Sequence, residues 1–174
     1  MAVTDLATYM YHLNGGLRPN QFKVNLAPPP GLNMNGEKFA ALVAAANLPM
    51  MNVGMIQKKK RGRQIKLSGD TEPSGQWTMR LDLNSGSEAA HALHLALQWQ
   101  QLARNIKNPS AYKSNGVVEM IDATIDAHTG SSALKAEVIG VWVANVVEIQ
   151  LDDESVDEVS SFEMTLEYDD VIYL

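Results

Sequence analysis

The stretch that decides the fold is Phe162-Glu-Met-Thr-Leu-Glu-Tyr-Asp169, in which apolar and polar residues alternate. Its apolar residues at every second position are Phe162, Met164, Leu166 and Tyr168. A period of two is typical of a β-strand with one buried and one hydrated face. A second strand-like run, Gly140–Leu151, precedes it, and an acidic connector separates the two. Neither run contains a set of residues typical of a catalytic site, so we interpret the segment as structural.

The same alternation recurs towards the N-terminus. It predicts strands at Phe22–Leu26, Arg63–Leu67 and Trp77–Leu83. Val117–Asp126 and Ala136–Leu151 also have strand-like composition, rich in β-branched and aliphatic residues. The chain therefore holds many short strands, which is typical of an antiparallel architecture.

One segment changes to a helical period. Ser85-Gly-Ser-Glu88 fits a capping box, in which the Ser hydroxyl and the Glu side chain satisfy free backbone N–H groups. A stripe at helical spacing follows, formed by Ala92, Leu95, Ala96, Trp99, Leu102, Ala103 and Ile106. Asn108-Pro109 ends the pattern. We expect one helix over about residues 87–107.

Together these patterns predict a mainly β fold, an antiparallel β-barrel or sandwich with one flanking helix. At 174 residues the chain is expected to form a single domain, 1–174, with an N-terminal arm at 1–21. Glu37–Asn47 is ambiguous, because six of its residues are Ala or Leu and their intrinsic propensity favours helix.

Composition excludes several classes of protein. The chain has no Cys, which rules out disulfides and thiolate metal sites and fits synthesis inside a cell. Its net charge is −6, the sign opposite to that of a dedicated nucleic-acid binder. No apolar run approaches the ~20 residues that span a bilayer, and no secretory signal is visible.

The sequence gives little support for a metal site or a catalytic nucleophile. His91 and His94 are three residues apart on the predicted helix, but a typical zinc site needs three or four ligands. We interpret them as exposed polar residues. The sequence has neither a Gly-x-Ser-x-Gly nucleophile turn nor a phosphate-binding loop. No catalytic, metal-binding or cofactor-binding residues are therefore assigned.

Carboxylates cluster in a predicted acidic loop at 152–158, which comprises Asp152, Asp153, Glu154, Asp157 and Glu158. A glycosidase pair would need an aromatic-lined cleft, and no aromatic residue lies in this loop. Calcium binding would favour an EF-hand spacing that is absent. A solvated acidic loop is the favoured interpretation.

The one basic cluster is Lys58-Lys-Lys-Arg-Gly-Arg63, predicted as a basic loop at 57–62. It could contact phosphate, act as a targeting signal or be a plain exposed turn. We favour contact with an acidic surface of another copy of the chain. The candidate inter-subunit residues are Lys58, Lys59, Lys60, Arg61 and Arg63 on one side and Asp152, Asp153, Glu154, Asp157 and Glu158 on the other.

A family resemblance rests on the order of several short motifs. These are Arg18-Pro-Asn-Gln-Phe22, Leu48-Pro49, Gly62–Lys66 with Gly69-Asp70, Trp77-Thr78, Gly140, the acidic turn Leu151–Val159 and Phe162–Tyr168. Their order and spacing resemble the tail tube proteins of contractile-tailed bacteriophages of the T-even type, from about residue 15 to the end. Thr71–Gln76 departs from the family pattern, which puts the contacts of that predicted loop in doubt.

The resemblance implies a β-barrel or sandwich similar to the tube protein of type VI secretion. It implies hexameric rings stacked into a hollow tube, through which the genome is ejected. The implied partners are copies of the chain, the sheath, the baseplate, the tail terminator, the tape-measure protein and passing DNA. The implied location is the virion, after synthesis in the bacterial cytoplasm. In the family the Leu48-Pro49 region is extended, which shifts the expectation for Glu37–Asn47 towards strand.

Three alternatives stay open. The first is a related part, such as a tube initiator, a connector or the tube of a secretion machine. The second is a ligand-binding β-sandwich, which the scattered Trp77, Trp99 and Trp142 do not favour. The third is a hydrolase that uses the carboxylates of 152–158.

Overall fold

The computed structural model describes residues 19–32, 36–83, 89–121, 132–149 and 160–174. In it, the segments with alternating apolar and polar residues form strands, as the sequence predicts. The strands within these ranges are β1 Phe22–Leu26, β2 Val43–Ala46, β3 Met51–Lys60, β4 Arg63–Pro73, β5 Trp77–Asp82, β6 Ser114–Ile121, β7 Ser132–Val146, β8 Ser161–Glu167 and β9 Asp170–Tyr173. The helices are α1 Gly36–Ala41, α2 Ala89–Asn105 and α3 Pro109–Tyr112.

Seven strands form one antiparallel sheet with the order β1-β6-β7-β8-β5-β2, and β9 adds to β7. Strands β3 and β4 form a separate two-stranded sheet. The long strand β7 pairs with β6 and β9 through its first half and with β8 through its second half. Strand β9 thus pairs with β7 before Gly140, and β8 pairs with β7 after it. At Gly140 the backbone has a φ of 70°.

The bent sheet encloses an aliphatic core. Its fully buried residues come from every second position of the central strands and include Trp77, Leu81, Val138, Val143 and Leu166. Phe162, Met164, Leu166 and Tyr168 are all buried, so the face predicted from the last alternating run is confirmed. Thr165, predicted on the hydrated face, is also buried, and it pairs with Thr78 of β5 and Asn145 of β7.

Helix α2 flanks this core. Ala92, Leu95, Ala96 and Trp99 of its predicted stripe are buried. The Trp99 indole N–H donates to the carbonyl of Tyr112 at 2.6 Å, which joins α2 to α3. The capping box at 85–88 lies outside the described residues. No helix within those residues is long and apolar enough to cross a membrane. The predicted fold class, an antiparallel β-sandwich with a flanking helix, is confirmed.

Several details differ from the sequence-based expectation. Glu37–Asn47 is neither wholly helix nor wholly strand: α1 ends at Ala41, and β2 occupies Val43–Ala46. Strand β9 and the short helix α3 were not predicted. Thr71–Pro73 is not loop, because β4 continues through it in register with Met51–Val53.

Candidate self-assembly site

A long hairpin, β3–β4, is the most distinctive surface feature. It includes 10 residues of β3 and 11 of β4, and these strands pair with each other and not with the main sheet. Arg61 and Gly62 form the two-residue turn with φ values of 51° and 76°. Positive φ at both turn residues matches the right-handed twist of a tight hairpin, and Gly adopts it without steric cost.

The predicted basic loop is therefore wrong as a loop. Residues 57–60 are strand, and only 61–62 turn. The structure places Lys58, Lys59, Lys60, Arg61 and Arg63 together at the hairpin tip, all exposed. The acidic partners predicted at 152–158 lie outside the described residues, so the structure does not test whether they meet these cations.

The register gives the hairpin two different faces. Ile56 pairs with Leu67, Lys58 with Ile65, and Lys60 with Arg63, which puts these side chains on one side. We call this the docking face, formed by Ile56, Lys58, Lys60, Arg63, Ile65 and Leu67. Its apolar part lies towards the root of the hairpin and its cationic part at the tip.

The apolar part of the docking face is open to solvent in the single chain. Ile56 is 49% exposed, Ile65 45% and Leu67 49%. Met55, on the opposite face of the hairpin, and Val53, nearer its root, are 54% and 64% exposed. An isolated two-stranded hairpin is marginally stable in water, and clustered exposed apolar residues mark interaction sites. The hairpin therefore has the properties of a segment that is completed by a partner.

Sequence reasoning missed the apolar half of this face. Its signal was present in Ile65-Lys-Leu67, where two large aliphatic residues flank a polar one, and in Ile56 ahead of the lysines. It also missed two carboxylates near the hairpin root, Asp70 and Glu72, which are exposed. The hairpin is thus cationic at its tip and anionic at its root.

A joint connects the hairpin to the main sheet, because β2 and β5 lead into β3 and β4 through residues 47–50 and 74–76. Asn47 crosses this joint: its side chain accepts from the Thr78 N–H at 2.6 Å and donates to the Gln76 carbonyl at 3.1 Å. Pro49 is fully buried, and its neighbours Leu48 and Met51 pack against the core. The hairpin root is therefore fixed to the folded body.

Two tyrosine hydroxyls bind the same joint, one from the connection between β8 and β9 and one from the C-terminal strand β9. The Tyr168 hydroxyl donates to the Met50 carbonyl at 2.7 Å and accepts from the Met50 N–H at 3.3 Å. The Tyr173 hydroxyl donates to the Pro49 carbonyl at 2.9 Å. Residues about 120 positions apart in sequence thus meet at the base of the hairpin.

Sheet edges that have no partner strand among the described residues are the second assembly feature. Strands β1 and β2 end the strand order, and α1 with its neighbours forms a groove beside β1. Unpaired edges offer backbone N–H and C=O groups to another strand. The residues that line the groove are Phe22, Lys23, Val24, Asn25, Ala40, Ala41 and Val43.

Among the described residues, features expected of a catalytic or ligand-binding site do not converge. No cluster of three metal-ligating side chains occurs among the described residues. Trp77 and Trp99 are buried at 0% and 1% exposure, so they cannot form an aromatic platform for a ligand. His94 is exposed and bonds Gln98 on the same helix at 2.9 Å.

The described residues form a mainly antiparallel β-sandwich whose edge strand β2 continues into the separate hairpin β3–β4. Its fold is shared with a chain in the sheath–tube complex of an extracellular contractile injection system (TM-score 0.62, 12% identity, 96% of this chain and 97% of that chain). It is also shared with a chain of the anti-feeding prophage tube-terminating cap (TM-score 0.62, 14% identity, 91% and 90%).

Curated relatives identify the family. The chain is 30% identical over 171 residues to tail tube protein gp19 of Enterobacteria phage T4, covering 95% of this chain and 96% of the relative. It is 31% identical over 171 residues to the tail tube protein gp19 of phage T6, with the same coverage. No protein-family model matches. The chain belongs to the phage tail tube protein family, so the predicted resemblance and the structural role in a virion tail are confirmed.

Proposed function

We propose that the chain assembles with itself into stacked hexameric rings, which form the hollow inner tube of a contractile phage tail. The observation that carries the proposal is the docking face, whose three aliphatic residues are 45–49% exposed and whose three cations are exposed. Membership of the tail tube protein family supports a tube as the product of this assembly. The tube serves as the conduit for genome ejection.

Two kinds of contact would build the tube. Within a ring, the free edges β1 and β2 of neighbouring copies come together, which removes edges that would otherwise aggregate. Between rings, the hairpin reaches the next copy and buries its apolar part. Each buried methylene contributes about 0.8 kcal/mol, so three aliphatic side chains per subunit supply a substantial part of the stacking energy.

Charge directs the stacking. Each copy has a net charge of −6, so stacked rings repel unless local opposite charges meet. We place the cations Lys58–Arg63 of one copy against the acidic loop 152–158 of its neighbour. An exposed pair contributes only ~0–1 kcal/mol, but every subunit of a symmetric ring repeats it.

The bore must release DNA. Duplex DNA carries about one negative charge per 1.7 Å, and a cationic wall would bind it by displacing counterions. We therefore expect the bore-lining strands to be polar or acidic and poor in Lys and Arg. The remaining proposed partners are the sheath, the baseplate, the tail terminator and the tape-measure protein. The chain has no enzymatic role in this proposal.

Negative-stain electron microscopy of the purified full chain tests the proposal. Hollow filaments with a regular axial repeat are the expected result. Single rings that never stack would favour the alternative of a tube initiator or connector of a related injection or secretion system. A chain that stays monomeric at every concentration would overturn the proposal.

A further inference from the structure

We propose that Tyr168 and Tyr173 are positioning residues that fix the direction in which the hairpin leaves the folded body, and so control ring stacking. This inference rests on the proposed function. It assigns the two phenol groups a task in assembly in addition to their place in the fold.

The joint needs such a constraint. The main-sheet ladder between β2 and β5 ends at Ala46, and the hairpin ladder begins at Met51. Between these ladders, the connecting segments 47–50 and 74–76 are held by the Asn47 bonds and by the Ser74 N–H, which donates to the Met50 carbonyl at 2.9 Å. The Asn47 bonds and the packing of Leu48 and Pro49 fix the root of the hairpin to the sandwich, and the Ser74 bond links the two connecting segments to each other. The direction of the hairpin beyond its root depends on further contacts with the sandwich.

The tyrosines supply those contacts. Tyr168 is 4% exposed, so its ring is held by the core while its hydroxyl makes two bonds to Met50. Tyr173 is 42% exposed and reaches Pro49 from β9, whose backbone pairs with β7. Three hydrogen bonds thus tie consecutive residues of the joint to the C-terminal segment that contains Tyr168 and β9. A fourth side-chain bond, from Gln76 to Glu167 at 2.6 Å, ties the other connecting segment of the joint to β8.

The effect on assembly follows from preorganisation. A binding segment that is already held in its bound direction loses less conformational freedom when it docks. Without the hydroxyls the hairpin samples more directions, and fewer subunits present the docking face correctly. Each hydrogen bond contributes about 0.5–1.5 kcal/mol net. We therefore expect removal of both hydroxyls to raise the protein concentration required for tube growth about tenfold, equivalent to about 1.4 kcal/mol.

The test compares the full-length wild type with Tyr168→Phe, Tyr173→Phe and the double variant. Tyr112→Phe, which removes a hydroxyl from a ring packed against Trp142, is the matched control. Because the chain has no Cys, Gln57→Cys gives one nitroxide attachment site on the hairpin in every background. The readouts are label mobility in the dilute subunit, the thermal unfolding midpoint, and the concentration at which tubes appear by light scattering and electron microscopy.

We expect the double variant to have a more mobile label and the higher threshold for tube growth, with the control unchanged in both. Wild-type label mobility or a wild-type threshold in a folded double variant would overturn the inference. If Tyr168→Phe lowers the unfolding midpoint, the partly exposed Tyr173→Phe decides by the same readouts. If the wild type itself forms no tubes, the proposed function fails, and label mobility still decides whether the tyrosines orient the hairpin.

Discussion

Gly140 and Asp169 lie against each other at the corner where β7 changes partners. A Cβ atom built on Gly140 would overlap the carboxylate of Asp169, and the φ of 70° at Gly140 is one that other residues rarely adopt. The Asp169 N–H donates to the Ile139 carbonyl at 2.9 Å, and both carboxylate oxygens accept from Lys113 at 2.7 Å. The bend in β7 and the kink between β8 and β9 therefore depend on the missing side chain at residue 140.

Replacement of Gly140 by Ala should destabilise the domain severely. A left-handed backbone costs an L-residue about 1–2 kcal/mol, and displacement of Asp169 adds to it. We expect the free energy of unfolding to fall by about 2–4 kcal/mol, measured by chemical denaturation below the assembly concentration. Gly31→Ala is the control, because Gly31 has a φ of 95° but no atom within 4 Å of its added Cβ. An equal loss in both variants would show that backbone conformation alone explains the effect.

The Lys113–Asp169 ion pair should matter much less than the glycine. The two side chains are 27% and 55% exposed, so water screens their attraction. We expect Lys113→Met to lower the free energy of unfolding by less than about 1 kcal/mol. Denaturation at low and high salt checks the cause, since an ionic contribution shrinks as salt rises. A loss as large as that of Gly140→Ala would contradict this ranking.

Charge reversal at the hairpin tip should separate folding from assembly. Lys58, Lys59 and Lys60 are exposed, so changing all three to Glu should alter the free energy of unfolding by about 0.5 kcal/mol or less per site. Tubes should become shorter, as measured by electron microscopy. Reversal of the exposed Arg104 and Lys107 is the control and should leave tube length unchanged.

A compensating reversal identifies the acidic partner of the tip. Asp152→Lys, Asp153→Lys and Glu154→Lys, added to the tip variant, should restore long tubes if the acidic loop is the partner. Restoration by Asp70→Lys and Glu72→Lys instead would place the tip against the root of a neighbouring hairpin. Unchanged tube length in the tip variant itself would refute the charge pairing.

Removal of the apolar part of the docking face should also weaken stacking. Ile56→Thr, Ile65→Thr and Leu67→Thr keep residues that suit a strand but remove buried methyl groups at the interface. We expect a loss of about 1 kcal/mol per residue in association free energy, with little change in the thermal midpoint of the dilute subunit. Val147→Thr, a surface residue with 40% exposure, is the control. Analytical ultracentrifugation measures the loss, and an unchanged association constant would exclude a role for this face.

The central sheet was readable from sequence because its strands have one buried and one hydrated face. Trp77, Met79 and Leu81 illustrate this, since each is buried while its neighbours face water. The hairpin was not readable as a unit because both of its faces are wet in the single chain. A register shift between Val53 and Met55 further breaks its alternation. The lysines at its tip therefore suggested a loop.

The candidate site was only half predictable for a related reason. Clustered charge is visible in sequence, so Lys58–Arg63 were found. The tyrosine contacts were not visible in the sequence, because Tyr168 and Tyr173 contact Met50 and Pro49 only in the fully folded sandwich. Likewise Glu37–Asn47 contains a helix and a strand in succession, and its Ala-rich composition does not show where one ends.

The position of the two tyrosines has a mechanical consequence. They flank the kink between β8 and β9, and both strands are hydrogen-bonded along the 15-residue β7. Tension on a hairpin would therefore load a long ladder in which many hydrogen bonds must break together. If the hairpins join subunits as proposed, a tail tube under load would separate between subunits before any one subunit unfolds.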